Sequence, residues 1–189
     1  MTAVDAVDVA RRLADALEAA GVEYAIGGAL ALNLYSVPRA TNDVDISVYP
    51  SAMQGPQLLA TLQQAGCEID EQRALDALAR GGDFGAHLQG MRIDIFLPAF
   101  DLHESAHERA VRQPLQGRPA WFLTAEDIAL FKLLWDRLID RADLQRLVAV
   151  SGDRLDLGYI RGWLARLFPD GDPRVDAFEQ LLRDYLPPA

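Results

Sequence analysis

Residues 43–48 read Asp-Val-Asp-Ile-Ser-Val, and this alternation constrains the fold more than any other feature of the chain. A period of two specifies a half-buried strand with Val44, Ile46 and Val48 on the inner face and Asp43 and Asp45 on the outer one. Residues two apart on a strand point the same way, about 6.5–7 Å apart, so both carboxylates can reach one metal ion. An Asp-x-Asp pair is equally compatible with a plain solvated face, so its meaning depends on what surrounds it. Upstream, a short apolar run over 22–26 ends in Gly27-Gly28, a turn leading into a helix over about 30–35 that Pro38 closes. Glycines at a strand-to-helix turn leave the backbone open, and helix-start N–H groups attract anions such as phosphate. Arg39 and Thr41 stand just before the acidic pair and offer a guanidinium and a hydroxyl beside it.

The remaining periodicities surround this stretch with a mixed fold. Helical spacing predicts a first amphipathic helix over 8–20, stopped by Gly21, and further helices over 57–65, 73–80 and 101–111. Residues 67–69 read as a short strand. Residues 84–88 and 91–97 read as two strands turned around Gln89-Gly90, the second carrying Arg92, Asp94 and Phe96 on one face. Asp94 is therefore a candidate third carboxylate. A strand pair around Gly117 ends near Leu123, and Thr124 with Asp127 has the form of a capping box opening one long helix to about Val148. Two more helices are expected over 157–168 and 174–186. The class is α+β: a small mixed sheet flanked by helices over residues 1–123, with a helical C-terminal part over 124–189.

Composition removes several functions. The formal charge of −10 argues against a broad nucleic-acid-binding surface, while a local basic pocket for a few phosphates stays compatible with it. Cys67 is the single cysteine, which excludes an intramolecular disulfide and a cysteine-cluster zinc site and reads as a small buried hydrophobe. No stretch has the length of a membrane span, and the first residues carry Asp5 rather than a basic leader, so the expectation is a cytoplasmic protein without a membrane partner. His103-Glu104-Ser105-Ala106-His107 has the H-E-x-x-H form of a zinc-protease helix, a competing reading that its charged surroundings disfavour.

Taken together, Gly27-Gly28, Arg39-x-Thr41-x-Asp43-x-Asp45, Arg92-Ile93-Asp94-Ile95-Phe96 and the helix from Glu126 to Leu134 resemble the polymerase-β-like nucleotidyltransferases, within them the abortive-infection and toxin–antitoxin type. The likeness continues through Arg137 and the spaced acids Asp140 and Asp143, which read as an exposed or interface ion-pair set. It implies that Asp43 and Asp45 hold the Mg²⁺ (or Mn²⁺) that carries a nucleoside triphosphate, and that Asp94 holds a second ion and helps activate an acceptor hydroxyl. Gly27, Gly28, Arg39 and Thr41 would attend the phosphates, and Lys132 would add positive charge from the C-terminal helix. The acceptor implied is a tRNA, a protein or a small molecule, with a cognate antitoxin or toxin as a possible partner. The departure from the family pattern is Ala29, where many relatives carry Ser or Thr. A catalytically silent, antitoxin-like binding protein is the alternative that Ala29 sustains; three retained like charges oppose it.

Overall fold

The computed structural model describes residues 5–51 and 54–186. Contacts divide the chain into two compact units: one runs to Leu30 and resumes over Ala40–Leu123, the other comprises Ala31–Arg39 and the chain from Thr124 onward.

The first unit opens with α1 (Ala6–Ala19), capped by the Asp5 carboxylate, which accepts from the Val7 amide, and burying Val9, Leu13 and Leu17. It continues through β1 (Glu23–Ile26), α2 (Gly28–Leu32), β2 (Asp43–Tyr49), α3 (Gly55–Gln64), β3 (Glu68–Ile69) and α4 (Glu71–Arg80). After these come β4 (Gly82–Leu88), β5 (Met91–Leu97), α5 (Asp101–Arg109), β6 (Val111–Leu115) and β7 (Arg118–Phe122). The described strands form one seven-stranded sheet in the order β3-β4-β5-β2-β1-β7-β6. Parallel pairing joins β2 to β5 and β1 to β7, and the other neighbours are antiparallel, so the sheet is mixed as expected. Val44, Ile46, Val48, Ile93 and Ile95 are fully buried, which confirms the inner faces read from alternation. Cys67 is buried, and burial pushes its thiol up to about 11, as suits a small core residue.

Two expectations need correction here. The helix after Gly27-Gly28 is only five residues long and starts at Gly28 itself, the chain then closing in turns from Leu34 to Ala31 and from Tyr35 to Leu32. The expected long helix after Thr124 is two, α6 (Ala125–Trp135) and α7 (Leu138–Ser151). Asp136 breaks them by entering the left-handed region at φ 48°, where its carboxylate forks onto Arg141.

The second unit consists of these helices with α8 (Leu157–Leu167) and α9 (Pro173–Tyr185). Thr124 and Asp127 do close the start of α6: the Asp127 amide donates to the Thr124 hydroxyl, which in turn donates to the Asp127 carboxylate. Asp127 is fully buried, and the Tyr159 hydroxyl on α8 donates to its other oxygen at 2.6 Å. Among the described residues no helix is long and apolar enough to cross a membrane.

Candidate active site

The outer face of β2 and β5 is laid out by register. In the parallel pairing Asp45 lies opposite Asp94 and Asp43 opposite Arg92, so three carboxylates and one guanidinium occupy four neighbouring positions on one face. Each is only partly covered or exposed, whereas Val44, Ile46, Ile93 and Ile95 between them are buried. The face exists because both strands alternate and because β5, the partner of β2, crosses in parallel.

The glycine turn fits around Asp45. The Gly27 amide donates to the Asp45 carbonyl at 2.9 Å, fixing the end of β1 against β2. Gly28 sits at φ +52°, and a Cβ there would come within 1.7 Å of Asp45 Oδ2, so the carboxylate lies in the space a side chain would fill. The group that approaches the Gly28 backbone is thus the protein's own Asp45. Asp43 accepts a hydrogen bond from the Thr41 hydroxyl, which ties Thr41 to the acidic pair. Asp94 accepts from Arg92 Nε at 3.0 Å and Nη2 at 2.8 Å, both on Oδ1. That hydrogen bond, with the charges of Asp94, Asp43 and Asp45, raises the Arg92 pKa above its ordinary value.

Three carboxylates on adjacent rows suit a hard divalent cation, and the missing side chain of Gly28 makes the room that the Asp45 carboxylate occupies. Among the described residues no three His, Cys, Asp or Glu side chains already converge on one point. The carboxylates share a face, with Asp94 turned toward Arg92.

Arg39 and Lys132 are found in the second unit, in a buried network. Arg39 forks onto Asp143, Nε to Oδ1 and Nη2 to Oδ2, each at 2.9 Å. Lys132 is 5% exposed, and its ammonium bridges Asp140 at 2.9 Å and Asp143 at 2.8 Å. Arg137 and Arg146 complete the set on Asp140 and Asp143 respectively. Asp140 and Asp143, expected as part of an exposed or interface ion-pair set, are ion-paired but fully buried. Burial alone would raise their carboxyls, but the hydrogen bonds from Arg137 and Lys132 to one, and from Arg39 and Lys132 to the other, outweigh it and hold both below the usual carboxylate range. Asn33, which sequence reasoning missed, fixes the Arg39 backbone through paired amide bonds of 2.9 Å. Nothing in a lone asparagine announces such a role.

The H-E-x-x-H histidines face different partners. His103 is buried and pushed down in pKa by that burial, with its ring edge-on to Phe100. His107 stacks on Tyr49 at 4.0 Å and pairs with Glu23 at 3.4 Å. The spacing is therefore used for packing rather than for a shared ligand.

The chain shares its fold with solved nucleotidyltransferases. Two solved proteins carry the likeness. The antibiotic-resistance factor ANT(2'')-Ia in solution aligns with a TM-score of 0.53 at 15% identity, over 95% of this chain and 90% of its own. Its crystal structure in complex with adenylyl-2''-tobramycin gives 0.50 at 18%, over 95% of each chain. The lincosamide antibiotic adenylyltransferase LnuA, lincomycin-bound, gives 0.53 at 15%, over 75% of this chain and 96% of its own. No family model matches the sequence, and no curated protein matches it. At these identities the likeness is one of fold.

Proposed function

We propose that the protein is a metal-dependent nucleotidyltransferase that moves an NMP from a nucleoside triphosphate to an acceptor hydroxyl. The observation that carries this reading is the register of β2 and β5, which sets Asp45 beside Asp94 and Asp43 one step along on the same face. Asp43 and Asp45 would hold the Mg²⁺ (or Mn²⁺) that brings the triphosphate, and Asp94 would hold a second ion and help activate the acceptor hydroxyl by taking its proton. When bound, the metal supplies charge neutralisation for the phosphates and for the leaving group. The acceptor oxygen forms a bond to the α-phosphorus, the bond from that phosphorus to the bridging oxygen breaks, and pyrophosphate leaves with its electron pair. Gly27 and Gly28 shape the floor, and Thr41 orients Asp43; a phosphate role for Arg39 and Lys132 rests on the motif resemblance alone, both being held on Asp143 within the second unit.

The acceptor class extends the two neighbours' chemistry by analogy. ANT(2'')-Ia was solved with an adenylylated tobramycin and LnuA with lincomycin, so a small-molecule hydroxyl stands first, ahead of a protein or a tRNA. A toxin–antitoxin or phage-defence setting in the cytoplasm, with a cognate protein partner, rests on the motif resemblance alone. One observation favours a second reading, a silent binding protein: Ala29 is buried and carries a methyl where many members of the family that the sequence resembles carry a hydroxyl. Incubation with each α-labelled triphosphate, Mg²⁺ and cell extract decides between them. Transfer of label, lost in Asp45→Asn, is the expected result; absence of transfer with all four triphosphates overturns it.

A further inference from the structure

Arg92 stands among the three carboxylates without a part in the reaction. It lies opposite Asp43 across the β2–β5 pairing and two residues from Asp94 on the same face. Its Nε and Nη2 both donate to Asp94 Oδ1, so the fork does not clamp the two carboxylate oxygens. The arginine side chain is 65% exposed and the Asp94 side chain 19%, so the acid is the fixed member of the pair and the base the movable one. An exposed pair of this kind is weak and readily exchanged. A guanidinium keeps its charge at any accessible pH, so it leaves only by swinging away.

We propose that Arg92 is the built-in counter-ion of the acidic face: it holds Asp94 while no metal is present and is displaced when a divalent cation takes that carboxylate. The proposal rests on the reading of this face as a cation site. Three carboxylates on neighbouring positions repel one another, and one guanidinium among them relieves that repulsion in the metal-free protein. The same positive charge opposes an arriving divalent cation, which must compete with it for Asp94 Oδ1. Arg92 is thus a positioning residue that sets the metal concentration at which the site fills. The field of the three carboxylates on Arg92 agrees with this placement.

Direct titration with Mn²⁺, following free ion by electron paramagnetic resonance, tests it without any turnover. Arg92→Gln should bind Mn²⁺ roughly tenfold more tightly than the unaltered protein, the effect of removing one positive charge a few ångströms from a divalent ion. In the Asp94→Asn background the same change should give a gain below roughly threefold, because the contested carboxylate is gone. Unchanged or weaker Mn²⁺ binding in Arg92→Gln overturns the proposal, as does a gain that persists undiminished without Asp94, or failure of both proteins to bind Mn²⁺ at millimolar concentration. The α-label assay separates this from the functional reading. Label transfer with no Mn²⁺ gain in Arg92→Gln leaves the enzyme and removes the counter-ion; an Mn²⁺ gain without label transfer does the reverse.

Discussion

At the scale of single residues, Gly28 and Gly162 make opposite cases from the same chemistry. At Gly28 the backbone is left-handed and an added Cβ meets the Asp45 carboxylate at 1.7 Å, so both conformation and space are against a side chain. Gly28→Ala should destabilise the protein by about 1–2 kcal/mol. Because Asp45 must rotate off the glycine, Mn²⁺ binding should also weaken about tenfold, a loss of ~1.4 kcal/mol. Gly162 lies within α8 with no obstructing atom near its Cβ position, so Gly162→Ala should stabilise by about 0.5–1 kcal/mol. Urea denaturation of the two variants beside the parent, with Mn²⁺ titration of the first, checks both signs. Equal effects would mean that Asp45 has room to move and that Gly28 is only a turn residue.

Among elements, α6 and α7 share a buried ion network whose members are costly to remove singly. Lys132→Met removes the cation shared by two fully buried carboxylates and should cost about 3–5 kcal/mol. Adding Asp140→Asn removes one of the stranded charges and should recover about half of that loss, leaving the Arg39–Asp143 fork in place. The pH dependence follows from the same bonds. Asp140 and Asp143 are held below their ordinary range, so their stabilisation is complete above the unfolded value of about 3.9 and is lost as pH falls through the lower folded values. Denaturation midpoints should therefore drop steeply below about pH 4 in the parent and more gently in the double variant, which keeps one of the two carboxyls. These features also mark where reading the sequence succeeds and fails. The alternation of 43–48 and 91–97 exposes both strands and their faces, because burial of one side imposes the period. The pairing that sets Asp45 beside Asp94 is invisible, since it joins strands separated by two helices and two strands. The break at Asp136 is missed because the apolar spacing runs on across it. Asp140 and Asp143 read as an exposed or interface set because isolated acids seldom lie inside; their burial rests on Lys132, which bridges both, on Arg137 at Asp140, and on Arg39, 104 residues away in sequence, at Asp143.

For the whole molecule, the decisive quantity is charge. Neighbours at 15–18% identity share the fold, and a shared fold does not select a substrate. The chain carries 28 acidic against 18 basic residues, a formal −10, so a polyanionic acceptor must approach against net repulsion and would need a compensating set of phosphate contacts. Binding of that kind releases counter-ions and is steeply salt-dependent: six to ten phosphate contacts lose about 10³–10⁵ in affinity between 50 and 200 mM salt. A neutral or cationic small molecule, held mainly by hydrogen bonds and packing, carries no such penalty, and a cationic one is drawn toward the acidic surface. Label from the α-phosphate should therefore appear in the low-molecular-weight fraction of an extract, and raising salt from about 50 to 200 mM should change its rate by less than about tenfold. Fractionating the labelled extract into RNA, protein and small molecules at both salts measures this directly. Label confined to RNA, with a steep loss at the higher salt, would show that a local basic surface overrides the net charge and would move tRNA to the front of the acceptor classes.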